Sequence, residues 1–172
     1  MIHLIEIGPA GEIETDCPLP ARATYEIRNA TADLYRRAGF VRPWTGYFAE
    51  SQGRIVGACG FKSPPDSTNG PSRVEIAYCT FPEFEGRGIA TEQARRLVAI
   101  ALNAYPEVLV TAQTLPHESP STSVLRKLGF RCVGSVLHPD DGLVWEWHRG
   151  ASGFLRLGGH LGRMQRALSA LR

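Results

Sequence analysis

The sequence predicts an α+β, or three-layer α/β, domain on a mixed sheet of about seven strands with helices on both faces. Three observations carry this prediction. Short runs rich in β-branched and aromatic residues recur along the chain, and they alternate in polarity. Other segments place apolar residues at helical spacing instead. Clusters of Gly, Pro, Asn and Asp separate the two kinds. At 172 residues the chain fits one domain that can bury its own core.

The elements follow in order. Residues 3–7, HLIEI, alternate and read as a first strand. A turn-rich stretch ending CPLP leads to residues 21–38, where Tyr25, Ile27, Ala30, Leu34, Tyr35 and Ala38 share a helical face and Gly39 can end the helix. TGYFAES and RIVGACGF read as two strands joined by the turn residues Gln52-Gly53. KSPPDSTNGPS is a loop, and residues 73–81, RVEIAYCTF, form the next strand. After a glycine turn, Ala90, Ala94, Leu97, Val98, Ala101 and Tyr105 give a helix to about residue 104 its buried stripe. EVLVTAQ is another strand. Ser119 reads as an N-cap with Pro120 at the first helical position, and Gly129 as a left-handed C-cap with Phe130 packing back. RCVGSVL and GLVWEWH form a hairpin around HPDDG.

Composition excludes several classes. Hydrophobic residues are 43% and charged residues 21%, a soluble globular balance. No apolar stretch reaches the length of a membrane span, and the first residues carry acids where a signal peptide carries bases. A cytoplasmic protein with no membrane partner is expected. Cys17, Cys59, Cys79 and Cys132 are far apart and read as reduced thiols packed like small apolar residues. The five histidines share no ligand spacing, so no metal is expected. The net charge of +2 is uneven. Residues 149–172 hold five arginines and no acid, which leaves the rest at −3. Residues 1–149 are read as the domain and 150–172 as a basic amphipathic helical tail, with Leu161, Met164, Leu168 and Leu171 opposite Arg163, Arg166 and Arg172. The tail either packs on its own domain or docks on a partner. A homodimer is left open, and nucleic acid is not favoured.

The stretch FPEFEGRGIATEQARRL, residues 81–97, carries the chemistry. Gly86 and Gly88 stand between a strand and a helix. A helix N-terminus offers free N–H groups and about half a positive charge, and glycines let an anion approach the backbone. The turn is a phosphate or pyrophosphate site, or else a tight turn that needs positive φ. A P-loop lacks its lysine here, and the dinucleotide fingerprint has Thr91 at its third glycine. A coenzyme A pyrophosphate loop is the third candidate.

VEIAYCTFPEFEGRGIATEQARRLV resembles motif A of the GCN5-related N-acetyltransferases, the GNAT family, whose signature is [QR]-x-x-G-x-[GA]. Gly88 and Ala90 match its last two fixed places. ESPSTSVLRKLGF resembles the second motif, N-x-x-S followed by a helix closing in K-L-G-F, and the pair is closest to the ribosomal-protein N-terminal acetyltransferase branch. The resemblance implies the acyl-CoA N-acyltransferase fold, a mostly antiparallel sheet splayed at its centre. It implies acetyl-CoA as cosubstrate and a primary amine as acceptor, acetylated by direct attack. The N–H groups of Arg87, Gly88, Ile89, Ala90 and Thr91 would hold the pyrophosphate. Cys79, Thr80 and Phe81 would pair their backbone with the pantetheine arm, and the Cys79 N–H would hold the acetyl oxygen. Glu75 falls where such strands place a catalytic carboxylate, and Ser121 at the serine that meets the coenzyme sulfur. Glu118 stands in the asparagine place beside the ligand, and Glu85 in the [QR] place. The helix tyrosine that many members use as general acid is Leu125 here.

Elementary acid–base chemistry sets what each group must supply. A lysine amine of pKa about 10.4 is neutral about once in 2,500 at pH 7, whereas an α-amine near 7.7–8.0 costs only about 1–1.4 kcal/mol to deprotonate. A base therefore matters more for a lysine acceptor. The leaving thiol, with a pKa of about 8.5, departs with little help. Glu75 lies roughly 13 Å along the strand from Cys79 at about 3.3 Å per residue, so contact through water is expected. Residues 20–48, including Tyr25, Tyr35, Trp44 and Tyr47, and the hairpin with Trp145 and Trp147 would set the acceptor. The other reading is a non-catalytic acyl-CoA-binding or regulatory module, for which Glu85 and Glu118 argue.

Overall fold

The computed structural model describes residues 1–68 and 70–150, and of residues 21–23 the backbone only. The expected tail of residues 150–172 lies, but for its first residue, outside the described residues. The elements run β1 (His3–Glu6), α1 (Ala21–Ala38), β2 (Gly46–Ser51), β3 (Arg54–Phe61), β4 (Arg73–Thr80), a 3₁₀ turn (Pro82–Phe84), α2 (Ile89–Ala104), β5 (Leu109–Thr114), α3 (Pro120–Lys127), β6 (Arg131–His138) and β7 (Gly142–Arg149). They match the expected elements within about two residues at each end.

All seven strands join one sheet in the order β1-β2-β3-β4-β5-β7-β6. Neighbours are antiparallel except β4 and β5, which run parallel. The β2–β3 turn places Gln52 at φ 53° and Gly53 at φ 73°, both positive as a type I′ hairpin turn requires. The parallel pair holds register only over Arg73↔Leu109, Val74↔Val110 and Glu75↔Thr111. Beyond Glu75 the two strands separate, which is the expected central splay.

The two faces of the sheet differ. Val74 and Ile76 of β4, Val110 and Ala112 of β5 and Trp147 of β7 pack against Ala94, Leu97, Val98 and Ala101 of α2 and Val124, Leu125 and Leu128 of α3. Residues two apart on a strand share a face, so Glu75, Thr111 and Glu146 point the other way. There α1 covers only the N-terminal half of the sheet. Its Tyr35 hydroxyl donates to the Ile7 carbonyl at 2.9 Å and accepts from the Gly46 N–H at 2.7 Å. Tyr35, Trp44, Tyr47 and Trp147 are all buried, so these expected acceptor-side aromatics are core. Tyr25 is 65% exposed. The four cysteines are free thiols.

Candidate functional site

Gly86 and Gly88 have φ of 73° and 77°, and a Cβ at either would meet nothing within 4 Å. Two consecutive left-handed corners, not crowding, demand glycine there, and they leave open space in front of α2. The first intrahelical donor is the Glu92 N–H, bonded to Gly88 O at 3.1 Å. The N–H groups of Ile89, Ala90 and Thr91 therefore have no helical acceptor and face outward at the positive end of the helix dipole.

That end opens into a cavity of about 520 Å³ between α2 and α3. Thr80, Gly88, Ile89, Ala90, Thr91 and Ser121 line it, as do Tyr78, Glu85 and Lys127. Six of the expected site residues thus share one cleft. The far wall is the start of α3, built by a reciprocal cap. Ser119 Oγ accepts from the Thr122 N–H at 3.3 Å while Thr122 Oγ1 accepts from the Ser119 N–H at 3.0 Å. Pro120 stands at the first helical position, and Ser121 after it lines the cleft.

Strand register decides which backbone groups of β4 face the splay. The Lys62 N–H donates to Glu75 O at 2.9 Å and the Phe81 N–H to Val56 O at 2.9 Å. An antiparallel ladder alternates bonded and non-bonded pairs, so Ala77 and Cys79, opposite Gly60 and Ala58, also bond across to β3. The N–H of Cys79, expected at the acetyl oxygen, is thereby turned away from the splay. The free groups on the open side belong to Tyr78 and Thr80. The expected group was the Cys79 N–H; the register instead leaves those of its neighbours free, because parity depends on a cross-strand register that one strand does not reveal.

Three other expected residues are absent from the lining of this cleft. The Phe81 side chain is buried in the second core cluster. The Arg87 guanidinium stacks 5.6 Å from the Phe84 ring centroid, outside the lining of the cleft. Glu118 is held by Arg126, with Nη2 to Oε1 at 2.6 Å, and accepts from Thr122 Oγ1 at 3.2 Å. These bonds hold its carboxyl below the usual range and turn its charge away from the cleft. The departure at residue 118 therefore brings no anion to the site, whereas Glu85 does line it.

A smaller cavity of about 150 Å³ lies in the splay itself, walled by Glu75, Ile76, Ala77, Tyr78, Ala112, Gln113 and Ser121 and capped by Lys62, His138 and Asp141. Glu75 and Ser121 meet there. Burial pushes the Glu75 carboxyl above its usual range, offset by the charges of Lys62 and His138 and reinforced by Glu146. His138 Nδ1 lies 3.2 Å from the Asp140 and Asp141 N–H nitrogens and from Asp141 Oδ2. Tyr78 lines both this cavity and the larger cleft. Its hydroxyl points at Ser121 O, 3.4 Å away, and burial raises its pKa to about 12, so it stays a neutral donor at physiological pH. Tyr78, Lys62, Lys127 and His138 were not singled out from sequence. Tyr78 was the most findable, being in the EIAY stretch that begins with Glu75. His138 reads only as turn sequence.

On the α1 side, a third cleft of about 430 Å³ runs between that helix and β3–β4 and again reaches Tyr78. Ala77 and Cys79 form its floor. Among the described residues no cluster of three or more His, Cys, Asp or Glu could hold a metal, and no helix is long and apolar enough to cross a membrane.

A family model described as an acetyltransferase (GNAT) domain matches residues 13–131. Solved structures share the fold at low identity. A RimL ribosomal L7/L12 alpha-N-protein acetyltransferase in complex with coenzyme A is 17% identical, with a TM-score of 0.58 over 74% of this chain and 71% of that one. The aminoglycoside acetyltransferase AAC(6')-Ib, also with coenzyme A, is 24% identical, with a TM-score of 0.54 over 65% and 69%. A putative GNAT-family acetyltransferase from Desulfovibrio desulfuricans is 12% identical, with a TM-score of 0.61 over 88% and 100%. No curated protein matches the chain significantly.

Proposed function

The chain belongs to the GNAT acetyltransferase family, and from that premise we propose that it transfers an acetyl group from acetyl-CoA to a primary amine by direct attack. One observation carries the reading. The cleft at the N-terminus of α2 and the splay cavity holding Glu75 meet at Tyr78 and Ser121, so a phosphate end, a thiol end and a base fall along one path.

The donor set fits coenzyme A. The free N–H groups of Ile89, Ala90 and Thr91, the helix dipole and Lys127 suit a pyrophosphate. The splay-side N–H and C=O of Tyr78 and Thr80 suit the amides of the pantetheine arm as an added strand. Thr80 Oγ1 is buried without a partner, a vacancy that a ligand amide can fill. The Tyr78 N–H takes the oxyanion role expected of Cys79.

The chemistry then needs few groups. The amine nitrogen bonds to the thioester carbon and the carbon–sulfur bond breaks. Glu75 takes the amine proton through water in the splay cavity, its raised pKa making it a stronger base than an exposed carboxylate. Ser121 hydrogen-bonds the departing sulfur, whose low basicity asks for little more. Leu125, at the family's usual tyrosine position, is fully buried and takes no part.

Thiol release from acetyl-CoA, measured across a panel of peptides, polyamines and small amines, tests the reading. Amine-dependent release supports it. Coenzyme A binding without release from any amine would favour a non-catalytic acyl-CoA-binding module.

A further inference from the structure

The cleft under α1 is apolar where the reacting cavity beside it is polar. Ile27 and Leu34 stand on its helix wall, and Ala58, Ala77 and Cys79 on its sheet floor. Ala77 and Cys79 belong to a strand in mid-sheet, yet both are exposed. A bare floor of small side chains under an apolar helix wall is a place for a ligand to cover. Among the described lining residues no carboxylate occurs, and the two charged ones, Arg37 and Lys62, are exposed. Polar groups gather at the splay instead. Glu75, Lys62, His138 and Asp141 share its cavity, and Glu146 joins Glu75 and Lys62 in the next one. Ala77, Tyr78 and Lys62 line both the cleft and the splay cavity, so the two meet.

We infer that this cleft holds the body of the acceptor, and that the acceptor is a primary amine on an uncharged, apolar carbon skeleton. The inference rests on the transfer reading for where the amine reacts. Coenzyme A between α2 and α3 would take the other face of the sheet, which leaves the α1 side to the acceptor. A volume of about 430 Å³ suits a short alkyl chain or the first residues of a peptide. Each methylene laid on these walls leaves water, which strengthens binding. A second ammonium group or a row of hydroxyl groups would lose its water against carbon instead. Polyamines and aminosugars are thereby disfavoured, although the reacting end itself is polar.

Two sources supply such a body, a free alkylamine and a peptide whose first residues are apolar. Calorimetry on the full chain saturated with coenzyme A tests the inference. One arm runs from propylamine to hexylamine, with 2-(2-aminoethoxy)ethanol and hexane-1,6-diamine as polar chains of like length. The other compares the tripeptide amides Leu-Leu-Gly and Ser-Ser-Gly. On half-open walls each methylene should tighten Kd about threefold, or about thirtyfold from propylamine to hexylamine. The polar chains should bind no better than propylamine. The gain should shrink in Leu34→Asn, which makes the helix wall polar, and in Ala30→Phe, which adds bulk at another lining position. Neither residue lines the coenzyme cleft, so an unchanged coenzyme A affinity shows that each variant is folded. The arm with the larger apolar gain identifies the source. No gain in either arm, a polar chain as tight as hexylamine, a gain unchanged in both variants, or no binding of any probe would overturn the inference. Thiol release is read separately with the same amines. Release without the apolar ranking removes this inference and keeps the transfer reading, and the ranking without release does the reverse.

Discussion

Glu75 and Gly88 are the two residues on which most depends, and each answers to a different measurement. Glu75→Gln keeps shape but takes no proton, so turnover should fall by about 10²–10⁴ with coenzyme A affinity nearly unchanged. The deficit should narrow at high pH, where the amine is already neutral, and equal turnover at pH 7 would reduce Glu75 to a strand acid. Stability should move the opposite way. Burial raises the Glu75 pKa above its usual 4.5, so the unfolded chain ionises first as pH rises and the fold loses stability through that window. The glutamine variant should therefore melt above the native protein at pH 7, with the gain gone below about pH 4.5, in paired thermal scans. Gly88→Val should abolish coenzyme A binding in calorimetry. It forces a β-branched residue to φ 77°, costing roughly 1–2 kcal/mol, and puts bulk where the pyrophosphate must meet the backbone. Unchanged affinity would remove the anion site from this turn.

At the scale of elements, one buried polar side chain adds hydrogen bonds to the apolar packing of α2 on the sheet. Gln93 is fully buried, and its Nε2 donates to Cys79 O at 3.1 Å and Ala58 O at 3.3 Å. Gly57 makes room for it, since a Cβ there would lie 2.9 Å from that nitrogen and 2.2 Å from Cys79 O. Gln93→Glu should destabilise the fold by about 3–5 kcal/mol at pH 7, because a buried carboxylate would replace the donor against two carbonyl oxygens. Denaturant titration at pH 7 and pH 5 checks it, with a smaller loss at the lower pH. For α3, Ser119→Ala should cost about 1 kcal/mol. Both helices and their caps were legible in the sequence, because a cap is a local pattern of residue types. The anchoring role of Gln93 was not, since it sits inside an otherwise apolar stripe and its partners are some 14 and 35 residues away.

For the whole molecule, every described residue lining the clefts discussed above falls at or before Glu146. Truncation after Gly150 should therefore leave coenzyme A binding intact, and unfolding of the shortened chain would show that the remaining residues belong to the domain. The sequence revealed the strand count, the helix positions and the glycine turn, all set by local periodicity and turn chemistry. It concealed which side of β4 is free, where Glu118 points, and that Lys62 and His138 meet Glu75, because these depend on elements far apart in the chain. The divided sheet has a further consequence for exchange with solvent. A strand in mid-sheet normally hides all its amide hydrogens, but β4 beyond Glu75 has a partner on one side only. In deuterated water the amides of Ala77, Cys79 and Phe81 should exchange slowly, and those of Tyr78 and Thr80 between them fast. Binding of coenzyme A should slow the second set alone. A single strand would then carry an alternating record of whether its missing neighbour is present.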